Sequence, residues 1–389
     1  MTSRGNRPVR RIYLGTTPRT VLALMATMAM TACAPGMGGP ASPPGGASME
    51  ATGKPINPTT GPCPAASTSA GTSESESGGA SAVLSAATAF VNTLDEKQRT
   101  AVMAERTPAT LAQWSNLPGP LVKRTGLRID TLNQPQRDAV MAILKAALSP
   151  EGYTQVRQIT TADGVLASSG GANLDFGADH YWVRILGTPA DTGKWTFQYD
   201  GHHLALNISV DGGDMTLAPS FWGAQPASYE IAGTAAEPLC GETVKAFAVM
   251  DALDADQRKR ATLTTPVKEI VLGTGQDGKT LAPEGITASS LNENQKKLLL
   301  DLIQEWITPL TTTNSAAKLS AAKQNLDQVS FAWHGATTIG NPIYYRVVGP
   351  MFLIEFAHQQ GAGPLGGGIT HIHSIYREPG NDYGAQSGS

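Results

Sequence analysis

Four of the seven histidines fall into two tight groups, Gly201-His202-His203 and His371-Ile372-His373. On a β-strand successive side chains point to opposite faces, so His371 and His373 would share one face and Ile372 would take the other. Two neutral imidazoles side by side are a chelating pair for one divalent transition metal such as zinc. A third ligand is offered by His202, by His203, or by Glu355 in the preceding apolar run Phe352-Leu353-Ile354-Glu355-Phe356. The competing reading makes the same rings hydrogen-bond donors to carbonyls and carboxylates in the core. Further along, the run from Tyr376 to Gly384 is dense in polar groups. There Arg377 can clamp a carboxylate or phosphate and Asp382 can orient an imidazole. Equally, Arg377 can pair with Asp382 or Glu378 and simply close a loop.

Three classes of function use these residues differently. A metal-dependent, hydrolase-like enzyme takes His371 and His373 as ligands with His202, His203 or Glu355, and has Glu355, Asp382 and Arg377 as catalytic candidates. A non-catalytic lipoprotein binds a small-molecule or envelope ligand through Arg346, Arg377, Trp195 and Tyr376. An envelope scaffold needs none of them. The chain contains no Gly-x-Ser-x-Gly, His-Glu-x-x-His, Walker loop or Cys-x-x-Cys. Residues 361–366 match Gly-x-Gly-x-x-Gly, but they lead into a strand pattern. They offer no helix N-terminus to a pyrophosphate and are read as a loop. A net charge of −3, with both signs interspersed, gives no electrostatic ground for nucleic acid as a partner.

The elements that must position these residues come in a repeated order. Leu94-Asp95-Glu96-Lys97-Gln98-Arg99 recurs as Leu253-Asp254-Ala255-Asp256-Gln257-Arg258, and Leu132-Asn133-Gln134-Pro135-Gln136-Arg137 as Leu291-Asn292-Glu293-Asn294-Gln295-Lys296. Both recurrences are displaced by 159 residues (94 to 253, 132 to 291). Residues 181–187 match 343–349, and 222–225 match 383–386, in the same order. Asp or Asn followed three residues later by Gln is a helix start, since the two side chains satisfy first-turn N–H groups reciprocally. Apolar residues follow at helical spacing: Val140, Ile143, Leu144 and Ala147, then Leu299, Leu302, Ile303 and Trp306. The later part of each half consists of short β-branched and aromatic runs between turns. The expectation is an α+β protein of two tandem-duplicated repeats, about 83–232 and 241–389. Each has N-terminal helices followed by antiparallel strands, and the two sheets share a core. Whether His203 matches His371, or residues 215–217 match the His371 strand, stays open at this level.

The first segment carries an export pattern. Arg4, Arg7, Arg10, Arg11 and Arg19 precede residues 21–30, an apolar stretch far below the ~20 residues that span a bilayer. Thr31 and Ala32 then lead into Cys33, which resembles the bacterial lipobox. Residues 1–32 are thus expected to be a lipoprotein signal peptide, and Cys33 the lipidated anchor in a bacterial membrane. The body would lie outside the cytoplasm, in the periplasm or at the cell surface. Ala34 rather than Asp after the cysteine favours the outer membrane where one exists. Residues 33–82, rich in Gly, Pro, Ser and Thr, are expected to form a disordered tether. Cys63 and Cys240 remain, as a disulfide in an oxidising compartment or as free thiols.

At the histidines the sequence resembles a known family. Trp195 with residues 199–207 (YDGHHLALN), then Pro219-x-Phe221-x-Gly223-Ala224-x-Pro226, is similar to one half of the family called domain of unknown function 3500. Tyr345-Arg346, Ile354-Glu355, His371-x-His373-Ser374-x-Tyr376-Arg377 and Asn381-Asp382-Tyr383-Gly384 resemble its C-terminal signature. Leu186 and Thr196 depart from the pattern without touching the histidines. The resemblance implies an exported protein and names no reaction.

Overall fold

A computed structural model describes residues 53–64, 78–171, 174–359 and 369–386. Residues 1–32, Cys33 and the Gly-rich stretch 361–366 lie outside the described residues. All four helix-start motifs close as capping boxes, at Asp95/Gln98, Asn133/Gln136, Asp254/Gln257 and Asn292/Gln295. Each glutamine also does something the sequence motif does not state. Gln136 Nε2 donates to Gln98 Oε1 at 2.9 Å and to Thr93 O at 3.0 Å. Gln295 Nε2 donates to Gln257 Oε1 at 2.7 Å and to Ala252 O at 2.8 Å. In each half one amide pair therefore ties two helix starts to the end of the preceding helix.

The helices are α1 (Ala80–Asn92), α2 (Glu96–Val102), α3 (Pro108–Leu111), α4 (Gln134–Ala147), α5 (Pro150–Leu166), α6 (Cys240–Ala252), α7 (Ala255–Ala261), α8 (Glu293–Ile307) and α9 (Thr312–Gln324). The strands are β1 (Gly53–Pro55), β2 (Met103–Ala104), β3 (Leu127–Arg128), β4 (Tyr181–Leu186), β5 (Lys194–Gly201), β6 (Leu204–Asp211), β7 (Asp214–Thr216), β8 (Ser220–Ala224), β9 (Tyr229–Ile231), β10 (Thr234–Ala236), β11 (Ile286–Thr287), β12 (Ser330–Gly335), β13 (Ile343–Val348), β14 (Leu353–Gln359) and β15 (His371–Arg377). Twelve strands form one sheet, ordered β11-β12-β13-β14-β15-β8-β6-β5-β4-β2, with β3 on β4 and β7 on β6. All its pairs are antiparallel except β2 with β4. Helices and an antiparallel sheet make this the expected α+β protein.

Period-two alternation gives the sheet two unlike faces. Val183, Phe197, Ile208, Ile354, Tyr345 and Phe331 point to one side and pack with the apolar stripes of α1, α4, α6 and α8 in a single core. The opposite face carries Arg184, Gln198, Asn207, Arg346, Glu355, His373 and Arg377. It is covered by loop segments and the short helix α3 rather than by long helices. Gln198 Nε2 donates to Leu111 O at 2.8 Å, and Arg377 Nε donates to Leu272 O at 2.8 Å.

Read outward from the β15–β8 pair, the order is β14-β13-β12-β11 on one side and β6-β5-β4 on the other. In that order β5 and β13 hold corresponding places, as do β4 and β12. The sequence match of 181–187 with 343–349 therefore joins strands that are not counterparts. Both runs are apolar, aromatic and closed by glycine, which makes such a match easy to draw. The counterpart of β15 is β8, so the two histidine groups occupy non-equivalent elements: one a turn, the other a strand. We keep the tandem duplication and its boundaries, 83–232 and 241–389, as a proposal.

Part of the segment expected to be a disordered tether is ordered. Residues 53–55 pair with β9, Thr59 N donates to Glu237 Oε2 at 2.9 Å, and Cys63 is disulfide-bonded to Cys240. Composition alone cannot order such a chain; a covalent link and an open strand edge can. No helix of the described residues is long and apolar enough to cross a membrane.

Candidate functional site

The β5–β6 hairpin, the end of β8 and the start of β15 bring three histidines together. His203 occupies the turn with φ +62°. Its N–H donates to Asn116 O at 3.3 Å and its carbonyl accepts from Gly223 N at 2.7 Å. A left-handed histidine is uncommon, and these two bonds hold it there. Register places His373 opposite Gly223, and His371 follows on the same face. A Cβ on Gly223 would lie 2.6 Å from Ile372 O and 3.3 Å from the His203 ring, so only glycine lets this strand pass so close. The His203 ring stands 5.4 Å from that of His371 and 5.3 Å from that of His373, and the latter two are 4.9 Å apart between centroids. One ligand atom from each of the three falls within 4.8 Å of the others.

Two carboxylates stand behind these rings. Asp163, near the end of α5, accepts from His202 Nδ1 at 2.8 Å, and its Oδ1 lies 3.6 Å from His203 Nδ1, too long for a hydrogen bond. Its other oxygen receives the Tyr181 hydroxyl at 2.5 Å. Glu269 takes His373 Nδ1 at 3.0 Å, which leaves Nε2 of that ring free as a ligand atom. Nδ1 of His203 and of His371 are buried without a hydrogen-bond partner. Burial, reinforced by neighbouring histidines, holds His202 and His203 well below the ordinary imidazole range and lowers His371 to about 2. Burial also raises Asp163, more than its His203 and Tyr181 contacts lower it. Neutral rings with unused nitrogens are the ligand form of histidine, so the donor set fits a divalent transition metal.

Glu355 is not among the ligands. It is fully buried, and its oxygens accept from Val271 N at 2.9 Å, Leu272 N at 2.7 Å and Tyr344 Oη at 2.7 Å. Register sets it opposite Arg346 and Ile375, two residues beyond the histidines. Asp382 orients no imidazole: it accepts from Arg377 Nη1 at 2.7 Å and from Glu378 N at 3.0 Å. Arg377 is spent on Leu272 O, Gly273 O, Asp277 and Asp382. Arg346 pairs with Glu284. Trp195 lies fully buried in the core, and Tyr376, also in the core, donates to Glu378 at 3.0 Å. The clamp of Arg346, Arg377, Trp195 and Tyr376 is thus not assembled, since strand alternation sends the last two to the helix-packed face.

Asp163 and Glu269 were not singled out in the sequence, and Tyr181 and Gly223 stood there only as members of a repeat match and of the family pattern. Asp163 carried a signal: it sits four residues after the buried Ile159, on the apolar stripe of α5 beside Ala162 and Leu166. An acid on such a stripe needs a buried partner. Glu269 carried none, because its loop has no periodicity to place it.

An α+β fold with a buried histidine cluster at the seam of one long sheet is the class defined so far. The model of the family described as protein of unknown function (DUF3500) matches residues 76–385, most of the chain, and the chain belongs to that family. No curated protein and no solved structure matches it.

Proposed function

We propose that the chain is a metal-dependent enzyme of hydrolytic type, with zinc the first choice of metal, held by His203, His371 and His373. The observation that carries this reading is the convergence of three imidazoles, each with a ligand atom within 4.8 Å of the others, with the buried Nδ1 of His371 unused. Imidazole nitrogens about a tetrahedral zinc stand roughly 3.3 Å apart, so binding closes the cluster by about an ångström through small ring rotations. Three histidine ligands leave a fourth position for water, and such sites lower its pKa to about 7. Glu269, with its side chain partly exposed and on the His373 ring, is the proton acceptor we assign.

Elemental analysis of the purified protein beside the H371A/H373A double variant tests this. Stoichiometric metal that is lost in the variant, with an unchanged melting temperature, supports it. No metal in either, and an unstable variant, would leave the non-catalytic reading. That reading draws on the carboxylate partners His202 and His373 already have.

We further propose export and lipid anchoring at Cys33 to a bacterial membrane, with the body in the periplasm or at the cell surface. The Cys63–Cys240 disulfide supports it, because such bonds persist in oxidising compartments. C33S should move the protein to the soluble fraction; persistent membrane association of that variant would overturn the anchor.

A further inference from the structure

The histidine cluster holds more donor atoms than one cation uses. Nδ1 of His202 and Nδ1 of His203 converge on a single oxygen, Asp163 Oδ1, at 2.8 and 3.6 Å. These three residues form a second set with ligand atoms all within 4.8 Å, and all three are buried. Tyr181 occupies Asp163 Oδ2, so both hairpin rings face Oδ1. His203 is common to both sets, and its Nδ1 has no hydrogen bond. The two hairpin rings stand 3.5 Å apart between centroids. The packed rings keep both Nδ1 atoms turned toward the same carboxylate oxygen.

We propose that Asp163, His202 and His203 form a second cation site, and that His203 bridges it to the cation on His371 and His373. Nδ1 would serve the Asp163 side and Nε2 the other, with His203 bound as imidazolate and its ring proton passing to solvent. The inference rests on the metal reading above and extends it to a two-cation centre. One carboxylate and two imidazoles suit zinc, cobalt(II) or copper(II). The left-handed turn at His203 gains a purpose, since it fixes a ring that must present both nitrogens at once.

The test is titration of the metal-stripped full chain with cobalt(II), read by its visible absorption and by elemental analysis after desalting. Wild type should take two equivalents. H202Q and D163N should each take one and keep the spectrum of the His371/His373 ion. Circular dichroism checks that each variant folds, and H202Q stands in if D163N, which also loses a Tyr181 contact, does not. H203Q should lose the second ion and bind the first at least about tenfold more weakly. Saturation of wild type at one equivalent, or two equivalents retained in H202Q, overturns the second site while leaving the first. No cobalt bound at all overturns both readings.

Discussion

Two hairpins that hold matching places on either side of the β15–β8 pair do opposite work. In β5–β6 the turn is Gly201-His202-His203, buried and wired to Asp163. In β13–β14 the corresponding turn is Gly349-Pro350-Met351, and Met351 is 48% exposed. On the loop-covered face the contrast continues. β5 and β6 place Gln198 opposite Asn207, two neutral amides 2.7 Å apart, whereas β13 and β14 place Arg346 opposite Glu355. Both halves bury polar groups on this face: Gln198 is met by a neutral amide beside the buried Arg124–Asp200 pair, whereas Glu355 is a carboxylate held by two backbone N–H groups and a phenol. The difference teaches where the molecule is fragile: a buried ion left alone costs far more than an amide left alone.

The largest expected effect breaks that contrast directly. E355A strands two backbone N–H groups and the Tyr344 hydroxyl, and should cost about 3–5 kcal/mol in urea unfolding. N207A, which strands Gln198 Nε2 and Pro219 O, should cost about 1–3 kcal/mol. Equal losses would mean that the buried carboxylate is no more sensitive than the amide pair.

A second effect separates the regions by pH. In α6, burial first and Glu305 second push the Glu242 carboxyl up to about 8 from 4.5. The fold then binds that proton more tightly than the unfolded chain. Glu242 therefore removes stability progressively as pH rises from about 4.5 to about 8. The cluster histidines act on the other side: His202, His203 and His371 titrate lower in the fold than in the unfolded chain, so stability is lost as pH falls below about 6.5. Unfolding free energy should peak between these limbs. E242Q should flatten the alkaline limb, worth about 1–3 kcal/mol between pH 5 and 8, and leave the acid limb in place. An unchanged alkaline slope in E242Q would dismiss the assignment.

The smallest effect sharpens the hairpin comparison. Asn tolerates the left-handed turn and Val does not, so H203V should be about 1–2 kcal/mol less stable than H203N, while both lose metal. Matched stabilities would show that the turn relaxes without strain.

Much of the fold was legible in the sequence because its signals are local. Four capping boxes and the helical spacing of Val140, Ile143 and Leu144 announced helices, and alternation in residues 203–210 announced a strand. The same-face pair His371 and His373 followed from alternation too. What was not legible depends on register and on loops. Whether Glu355 meets the histidines is decided by a two-residue step along β14 and β15, which no local pattern states. Arg377 reads as a free clamp until Asp277 and the 272–273 carbonyls arrive from a segment about a hundred residues away. The ordering of residues 53–64 was hidden for the same reason, because it comes from one distant cysteine and one strand edge.

β15 is the last strand of the chain described, yet it lies in the middle of the sheet, between β14 and β8. Contacts between His203 and His371 or His373 join residues about 170 positions apart in the sequence, the kind of contact that forms late because so much chain must be closed first. Until β15 enters, β14 and β8 both present open edges where another strand could add. The site is therefore complete only when β15 pairs with β8, and that pairing also covers two strand edges.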